Sequence, residues 1–216
     1  MEWPLLAGLP TEDVGRVLAI ARRRTFGKGE VVFHRDDPAD SLHLVVRGRF
    51  GVRVLTPLGD SVLLDVVGPG QSFGELALLA ADGRRSATAE ALEAGETRSV
   101  FRDEFVALQR THPAVKDVLL ALLAEQLRRS TERLVEAHYV DAETRVRRRL
   151  VELAATYEDG VVPLTQEDIA AMSGTSRATV NRVLREEVRL GAVALARGRT
   201  TVLDVDGLER RCRRRA

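Results

Sequence analysis

The spacing of hydrophobic residues changes along the chain, and each change predicts a different kind of structure. Residues 9–21 repeat apolar side chains at helical intervals, with Thr11 as a predicted N-cap. From Arg24 to about Phe101, short β-rich runs recur roughly every ten residues, with glycines between them. Short, evenly spaced strands with turn signals are typical of a sandwich, jelly roll or barrel, so this segment is predicted to be a jelly-roll-like β-roll.

A long helix is predicted from Pro113 to about Tyr139, because proline fits the first turn of a helix. The helix could pack on the protein's own sheet. Its length and its regular stripe of mostly apolar residues, here called the seam, favour a parallel homodimer instead. Charged residues that include Glu136 flank this seam. A polar Ser130 within the seam needs a partner, which raises the question of a ligand. The seam positions, spaced three and four residues apart, are Leu120, Leu123, Leu127, Ser130, Leu134 and Ala137.

After a predicted domain boundary at 138–141, Asp141 is expected to cap a helix over 142–157. Residues 164–184 then resemble a helix, a tight turn and a second helix. Thr165 can cap the first helix, with Asp168 close to a capping box, and Ser176 can cap the second. Gly174 stands where the chain must turn. Val180, Val183 and Leu184 are expected to be buried.

Arginines on the second helix favour a DNA-binding role, although an ordinary helical hairpin with solvated arginines is the alternative. Two β-like runs in 193–203 meet at Gly198 and predict a wing, which favours DNA. The predicted DNA contacts are Thr165, Ser176, Arg177, Thr179, Arg182, Arg197 and Arg199.

Composition narrows the class of protein. With 216 residues, 44% apolar and 30% charged, the chain is predicted to be a soluble globular protein of one large or two small domains, long enough for two cores. There is neither an apolar run of about 20 residues nor an N-terminal secretory pattern, so no membrane segment and a cytoplasmic location are expected. The single cysteine, Cys212, excludes an intrachain disulfide and a cysteine-ligated iron–sulfur cluster.

Net charge is +1 overall, but residues 141–216 carry 15 arginines against 12 acidic residues. Residues 210–215 hold five of these arginines and are predicted to be a solvated tail that could add attraction to phosphates. The scattered histidines form no nucleophile, base and acid set, so neither an enzyme nor a metal site is predicted.

A second informative segment runs from Gly70 to Leu79 and is followed by residues 84–88. A turn at Gly74 exposes backbone N–H groups to an anion. Arg85 and Ser86 can bind a phosphate, while Glu75 can accept from a ribose hydroxyl. This set suits a nucleotide monophosphate; the alternative is a surface loop with a Glu75–Arg85 salt bridge.

In their combined order these motifs resemble the catabolite activator/FNR (CRP/FNR) family of bacterial transcription regulators, over nearly the whole chain. The resemblance rests on the β-roll, FGELALL with RRSAT, the long helix and SRATVNRVL. It implies that Glu75 holds a ribose 2′-hydroxyl and that Arg85 and Ser86 hold a cyclic phosphate. Ser130 and Thr131 would contact adenine, one of them from the other subunit. The implied ligand set is Gly74, Glu75, Leu76, Arg85, Ser86, Ser130 and Thr131, and cyclic AMP is the leading effector.

Within the family, subgroups that sense oxygen or haem are recognised by their cysteine and histidine ligands. Oxygen sensors of the family need an N-terminal cysteine cluster, which is missing here. Haem sensors use Cys or His ligands on the β-roll, but His34 and His43 have no accompanying cysteine and are predicted to be ordinary strand residues. Two positions depart from the family pattern. Ala178 replaces a glutamate that reads cytosine, and Glu187 replaces a leucine, which predicts a shorter or repacked helix end around Val188 and Leu190.

The sequence therefore predicts an α+β protein with a β-roll (1–111), a dimerisation helix and hinge (112–140) and a winged helix-turn-helix (141–216). The predicted function is a homodimeric regulator controlled by cyclic AMP, and the resemblance implies that Arg177 reads a guanine and Arg182 another base of palindromic DNA. RNA polymerase is a further expected partner. The alternatives are a ligand-independent regulator of the same family and a nucleotide-binding module that docks on a protein.

Overall fold

The computed structural model describes residues 3, 6, 10–56, 59, 61–78, 83–112, 114–157 and 159–213. It divides into two compact units, Met1–Gly59 with Leu64–Arg128, and Asp60–Leu63 with Arg129–Ala216. The division falls within the long helix, about ten residues before the predicted boundary at 138–141.

The first unit is built on two antiparallel four-stranded sheets. One has the order β1-β8-β3-β6, and the other has the order β2-β7-β4-β5. Strands β1 to β8 are Arg22–Phe26, Val31–Phe33, Ser41–Arg47, Phe50–Leu55, Ser61–Val67, Ser72–Phe73, Thr88–Ala91 and Gly95–Phe101. The predicted β-roll is confirmed, because the β-rich runs between Arg24 and Phe101 form strands of these two sheets.

Two hydrophobic cores hold this unit, one on each face of the first sheet. Between the sheets pack aromatic and aliphatic side chains that include Phe26, Phe50 and Phe73. The opposite face is covered by helices α1 (Thr11–Ile20), α2 (Arg102–Thr111) and the start of α3 (Ala114–Tyr139). This arrangement explains why five consecutive residues of β3 are buried rather than alternating.

Helix α1 begins at Thr11 itself, and the residue at its N-cap is Pro10, which makes no side-chain capping bond. The prediction of Thr11 as the cap is therefore wrong. Proline already holds φ at −54° at the point of entry, so the chain turns into the helix one residue earlier than expected. Pro113, predicted to open α3, lies outside the described residues.

The second unit combines the end of α3 with further helices and a small sheet. Helices α4 to α7 are Ala142–Thr156, Gln166–Ser173, Arg177–Arg189 and Val205–Arg213. Strands β9 (Val161–Val162), β10 (Val193–Ala196) and β11 (Arg199–Val202) pair in the order β10-β11-β9. The predicted wing is thus a three-stranded sheet, with β9 as a strand that the sequence did not reveal.

The arginine-rich tail is more ordered than predicted. Within α7, Leu208 and Cys212 are buried, and Arg211 forms an ion pair with buried Glu187. The prediction of a frayed, solvated tail is therefore wrong in part, because residues up to Arg213 form a helix with one face packed on α4, while Arg210 and Arg213 are exposed as predicted. Among the described residues, no helix combines the length and hydropathy needed to cross a membrane.

Candidate functional site

A left-handed glycine opens the segment predicted to bind an anion. Gly74 has φ +82° and is followed by a short 3-10 turn, Glu75–Leu78. A Cβ added at Gly74 would lie 2.9 Å from Nη1 of Arg85. Only glycine therefore allows both this backbone conformation and the close approach of the arginine. The structure thus brings together Gly74 and Arg85, which are eleven residues apart in sequence.

Arg85 is buried, and neighbours that the sequence did not reveal hold its guanidinium. Nη1 donates to the Ser41 carbonyl oxygen at 2.5 Å, and Nη2 donates to Ser41 Oγ at 3.1 Å. Nη2 also donates to Oδ1 of Asp40 at 3.2 Å, and the guanidinium lies 4.0 Å from the centroid of the Phe33 ring. Asp40, rather than Glu75, is its ion-pair partner, so the alternative of a Glu75–Arg85 salt bridge is wrong.

One polar atom of Arg85 is buried without a partner. Its Nε makes no hydrogen bond in the described structure, although buried donors are nearly always paired. Burial also lowers the pKa of Arg85, against the charges of Asp40 and Asp37. A phosphate oxygen would satisfy the orphan donor with a charge-assisted bond, so the residues present fit an anionic ligand.

Glu75 is the first residue of the same turn and is half-buried. Burial raises its pKa, and the charge of Asp65 acts in the same direction. A hydrogen bond with the side chain of Gln126 on α3, in which the carboxylate is the acceptor, partly opposes this shift. A carboxyl group kept from water in this way is a good partner for a ligand hydroxyl. Leu76 and Ser86, the other predicted ligand contacts of these two segments, are exposed.

His43 is part of the core rather than a haem ligand. Its ring is stacked on Phe73 at 5.1 Å between centroids, and Nδ1 lies within hydrogen-bond distance of the hydroxyls of Thr97 and Ser99. Burial, then the charges of Arg85 and Arg24, lowers its pKa to about 3. His34 is exposed. The described residues contain no cluster of three or more His, Cys, Asp or Glu side chains able to hold a metal ion.

The predicted dimer seam lies mostly open on α3. Leu120, Leu127 and Leu134 are exposed, as are Ser130, Thr131 and Ala137. Leu123 differs, because it packs against the helix-covered core of the first unit. The start of α3 therefore packs on its own domain, while the apolar side chains further along the helix are solvent-exposed in the single chain.

Glu136 is not a solvated flank of that seam. Its carboxylate accepts hydrogen bonds from Arg148, at 3.0 Å, and from Arg149, and it is buried against α4. Two arginines on α4 thus hold this predicted flanking residue inside the second unit.

The helix-turn-helix has the predicted local geometry. Thr165 accepts from the Asp168 N–H, and Asp168 accepts in return from the Thr165 N–H, which completes a capping box. Gly174 is left-handed at φ +57°, and the Ser176 side chain caps α6. Asp141 caps α4 in the same way. Each of these predictions is confirmed.

Along α6, one side is buried and the other carries the candidate contacts. Val180, Val183 and Leu184 are fully buried, whereas Arg177, Ala178 and Arg182 are exposed and Thr179 is half-buried. Arg197 lies in the turn of the wing and Arg199 begins β11, both exposed. The described part of the second unit therefore presents arginines on a helix and on a hairpin, as a DNA-binding surface requires.

The end of α6 differs from the prediction at Glu187. The helix continues to Arg189, Val188 and Leu190 are exposed, and Glu187 is fully buried. The expectation of a shortened end repacked around Val188 and Leu190 is wrong, because Glu187 is bound by Arg147 and Arg211.

Arg145 is a structural link that the sequence did not signal. Its Nη1 donates to the Val140 carbonyl at 2.6 Å, and its Nε and Nη2 donate to the carbonyls of Ser173 and Gly174. One side chain thus joins the end of α3 to the turn of the helix-turn-helix, within the second unit. An arginine alone does not reveal a carbonyl partner 28 residues away, although the hinge position was predicted.

Comparison with known proteins assigns the N-terminal and C-terminal parts of the chain to two different family models. Residues 23–112 match the family model of the cyclic nucleotide-binding domain, and residues 144–211 match that of the Crp-like helix-turn-helix domain. The cyclic AMP receptor protein of Thermus thermophilus is 36% identical over 209 residues, 95% of each chain. The CRP-like cAMP-activated global transcriptional regulator of Mycobacterium tuberculosis is 32% identical over 195 residues, 87% of each chain.

Solved structures of transcription regulators from the same family are also similar to this chain. The catabolite activator protein of Thermus thermophilus is 34% identical, with a TM-score of 0.58, and the match covers 99% of this chain and 100% of that one. Another transcriptional regulator of the CRP family from the same organism is 27% identical, with a TM-score of 0.73 over 88% and 96% of the two chains. The predicted α+β fold is confirmed.

Proposed function

Since the chain belongs to the CRP/FNR family of bacterial transcription regulators, we propose that it is a homodimer that binds palindromic DNA under the control of cyclic AMP. A regulator of transcription, and not an enzyme, is what the family implies. The effector, the dimer and the DNA site are the proposal. The observation that supports the effector best is buried Arg85, with its unpaired Nε, beside the left-handed Gly74.

The chemistry of this site suits a cyclic phosphate joined to a ribose. Arg85 supplies a positive charge and an unpaired donor, and Gly74 lets the backbone approach the guanidinium closely. Glu75 is the candidate acceptor for a ribose hydroxyl, and its raised pKa reflects how strongly its surroundings disfavour an unpaired carboxylate. By the family pattern, Ser130 and Thr131 are the candidate contacts to adenine.

The dimer is supported by the exposed leucines of α3. Leu120, Leu127 and Leu134 repeat at intervals of seven residues on one helix, and each is at least 60% exposed in the single chain. A second copy of the same helix would bury them. In the dimer, two copies of α6 would enter successive major grooves about 34 Å apart, which requires palindromic DNA.

In this proposal the ligand alters the pairing of α3, and the change reaches DNA through the segment around 138–141. Arg145 supports this route, because it joins Val140 to the carbonyls before and at Gly174. A coupling free energy on the order of 1–3 kcal/mol between ligand and DNA is typical of such switches. We further propose action in the cytoplasm through RNA polymerase, as transcription regulation requires.

Calorimetry on the full-length protein tests the effector. Cyclic AMP should release or absorb heat at micromolar to millimolar concentrations, and Arg85→Leu should abolish the signal. The absence of heat with the wild-type protein at millimolar ligand would reject the effector.

Footprinting of DNA with and without cyclic AMP tests the output. Protection of a palindrome that depends on cyclic AMP is expected. Equally tight specific protection without any nucleotide would instead favour a ligand-independent regulator. A complete lack of salt-dependent DNA binding would favour a nucleotide-binding module that docks on a protein.

A further inference from the structure

The two exposed arginines of α6 have different surroundings. Arg177 forms no ion pair with any residue that the structure describes, whereas Nη1 of Arg182 donates to Oε1 of Glu143. Glu143 belongs to α4, 39 residues earlier in the chain. A carboxylate from outside the recognition helix therefore contacts one of the side chains proposed to read a base.

Glu143 also forms an ion pair with a second arginine, Arg147, on its own helix. Its side chain is mostly buried, and Oε2 lies 3.6 Å from Nη1 of Arg147. Arg147 is fully buried and donates to Glu186 at 2.6 Å and to Glu187 at 2.7 Å. The carboxylate of Glu143 thus lies between a buried, ion-paired arginine and an exposed one. Such a support limits how far Glu143, and with it Arg182, can move.

The contact leaves the guanidinium of Arg182 usable for recognition. Glu143 takes Nη1, while Nε and Nη2 have no hydrogen-bond partner in the described residues, and the side chain is 63% exposed. Two adjacent donors of an arginine form the usual bidentate contact with O6 and N7 of guanine. That contact requires a fixed fork, and a long exposed side chain otherwise loses rotamer freedom when it binds.

We propose that Glu143 is a positioning residue that determines specificity at the base pair read by Arg182. The inference rests on the proposed DNA-binding function. Glu143 orients the guanidinium, and its negative charge also weakens attraction to phosphates that carry no sequence information. Both effects raise discrimination between the specific site and other DNA. The effect is confined to one base pair in each half-site, since Arg177 lacks such a partner among the described residues.

The test compares DNA discrimination in the full-length protein. The preferred site is first selected from random duplexes by the wild-type protein with cyclic AMP. Fluorescence anisotropy then gives Kd for that site, for each single-base change and for random DNA. Glu143→Ala should reduce the ratio of random to specific Kd by roughly 3- to 10-fold, part of the value of one bidentate contact. The loss should concentrate at one base pair.

Two further variants separate positioning from mere structural support. Glu143→Gln keeps an acceptor oxygen and should retain an intermediate ratio. In an Arg182→Ala background, Glu143→Ala should change base preference no further. Glu209→Ala, which removes a carboxylate paired with Arg213 on α7, is the matched control and should leave the ratio unchanged.

The possible outcomes distinguish failure of the proposed DNA-binding function from failure of the positioning role of Glu143. If the wild-type protein selects no sequence, the proposed function fails and the role of Glu143 fails with it. If the wild-type protein selects a site and Glu143→Ala keeps full discrimination at every base pair, only the positioning role is overturned. Equal losses with and without Arg182 would likewise overturn it, because they would indicate general damage to the second unit.

Discussion

Arg147 and Glu187 form a buried ion pair, in which Nε donates to Oε1 at 2.7 Å and the two side chains are 2% and 0% exposed. Burial alone would lower the pKa of Arg147. The hydrogen bond to Glu187 and the charges of Glu187, Glu186 and Glu143 more than offset this, so the pKa is raised. Glu187 also accepts from Arg211 at 2.5 Å. A glutamate in place of the leucine usual in the family is therefore matched by two arginines.

Replacing Glu187 by leucine should strongly destabilise the second unit. The change leaves Arg147 buried without its main counter-charge, which typically costs about 3–5 kcal/mol of unfolding free energy. Denaturant unfolding followed by circular dichroism measures it. The double variant Arg147→Met with Glu187→Leu should recover most of the loss, and Glu209→Ala should change stability by less than about 1 kcal/mol. A loss below about 1 kcal/mol for Glu187→Leu would contradict the structure.

Asp40→Asn should tighten cyclic AMP binding. The Asp40 carboxylate pairs with Nη2 of Arg85 at 3.2 Å and must compete with a ligand phosphate for it. Because Asp40 is 61% exposed and screened by water, the gain should be only about 1.5- to 5-fold in Kd. Calorimetry gives the value. Asp37→Asn, a change in a nearby acid without a described ion pair to Arg85, is the control, and an unchanged or weaker Kd for Asp40→Asn would argue against competition.

Acid should destabilise the β-roll through His43. The folded protein holds this ring neutral, with a pKa of about 3, while the unfolded chain protonates it near 6.5. The unfolded state therefore binds more protons between these values, and stability falls as the pH is lowered from about 6.5 to 3. One such group contributes up to ~1.4 kcal/mol per pH unit.

His43→Phe should flatten that dependence. Phenylalanine keeps the stacking on Phe73 but leaves the hydroxyls of Thr97 and Ser99 without their ring partner, so stability at pH 7 should drop by about 1–3 kcal/mol. Unfolding at a series of pH values measures both effects. His34→Phe, at an exposed position, is the control, and an unchanged slope for His43→Phe would exclude His43 as the source.

Glutamate at Leu127 or Leu134 should convert the proposed dimer to monomers. Each leucine is exposed in the single chain, so the substitution should not unfold it, but a charge in a coiled-coil seam opposes pairing. Sedimentation measures the mass. Leu55→Glu, at an exposed leucine on β4, should remain dimeric. A dimer that persists in both seam variants would remove α3 from the interface.

Local features of the fold could be predicted from the sequence because their partners lie three or four residues away. Ser176 caps α6 through the Thr179 N–H, and Thr165 and Asp168 form a capping box in the same way. Gly174 was predictable because a tight turn needs a left-handed residue. Several strands of the β-roll followed from apolar runs between glycines, whereas β9 did not. In the candidate site, the sequence pattern pointed to Gly74, Glu75 and Arg85, although Gly74 and Arg85 are eleven residues apart and meet only in the folded chain.

Contacts between distant residues were decided only by the tertiary structure. Asp40 pairs with Arg85 across 45 residues, Glu143 with Arg182 across 39, and Arg147 with Glu187 across 40. Nothing in the local sequence distinguishes these carboxylates from solvated ones, so the burial of Glu136 and Glu187 could not be predicted. A charged residue is stable inside a protein only when another element brings it a counter-charge. Its role therefore depends on how the elements pack, whereas a cap or a turn depends on the backbone of its own few residues.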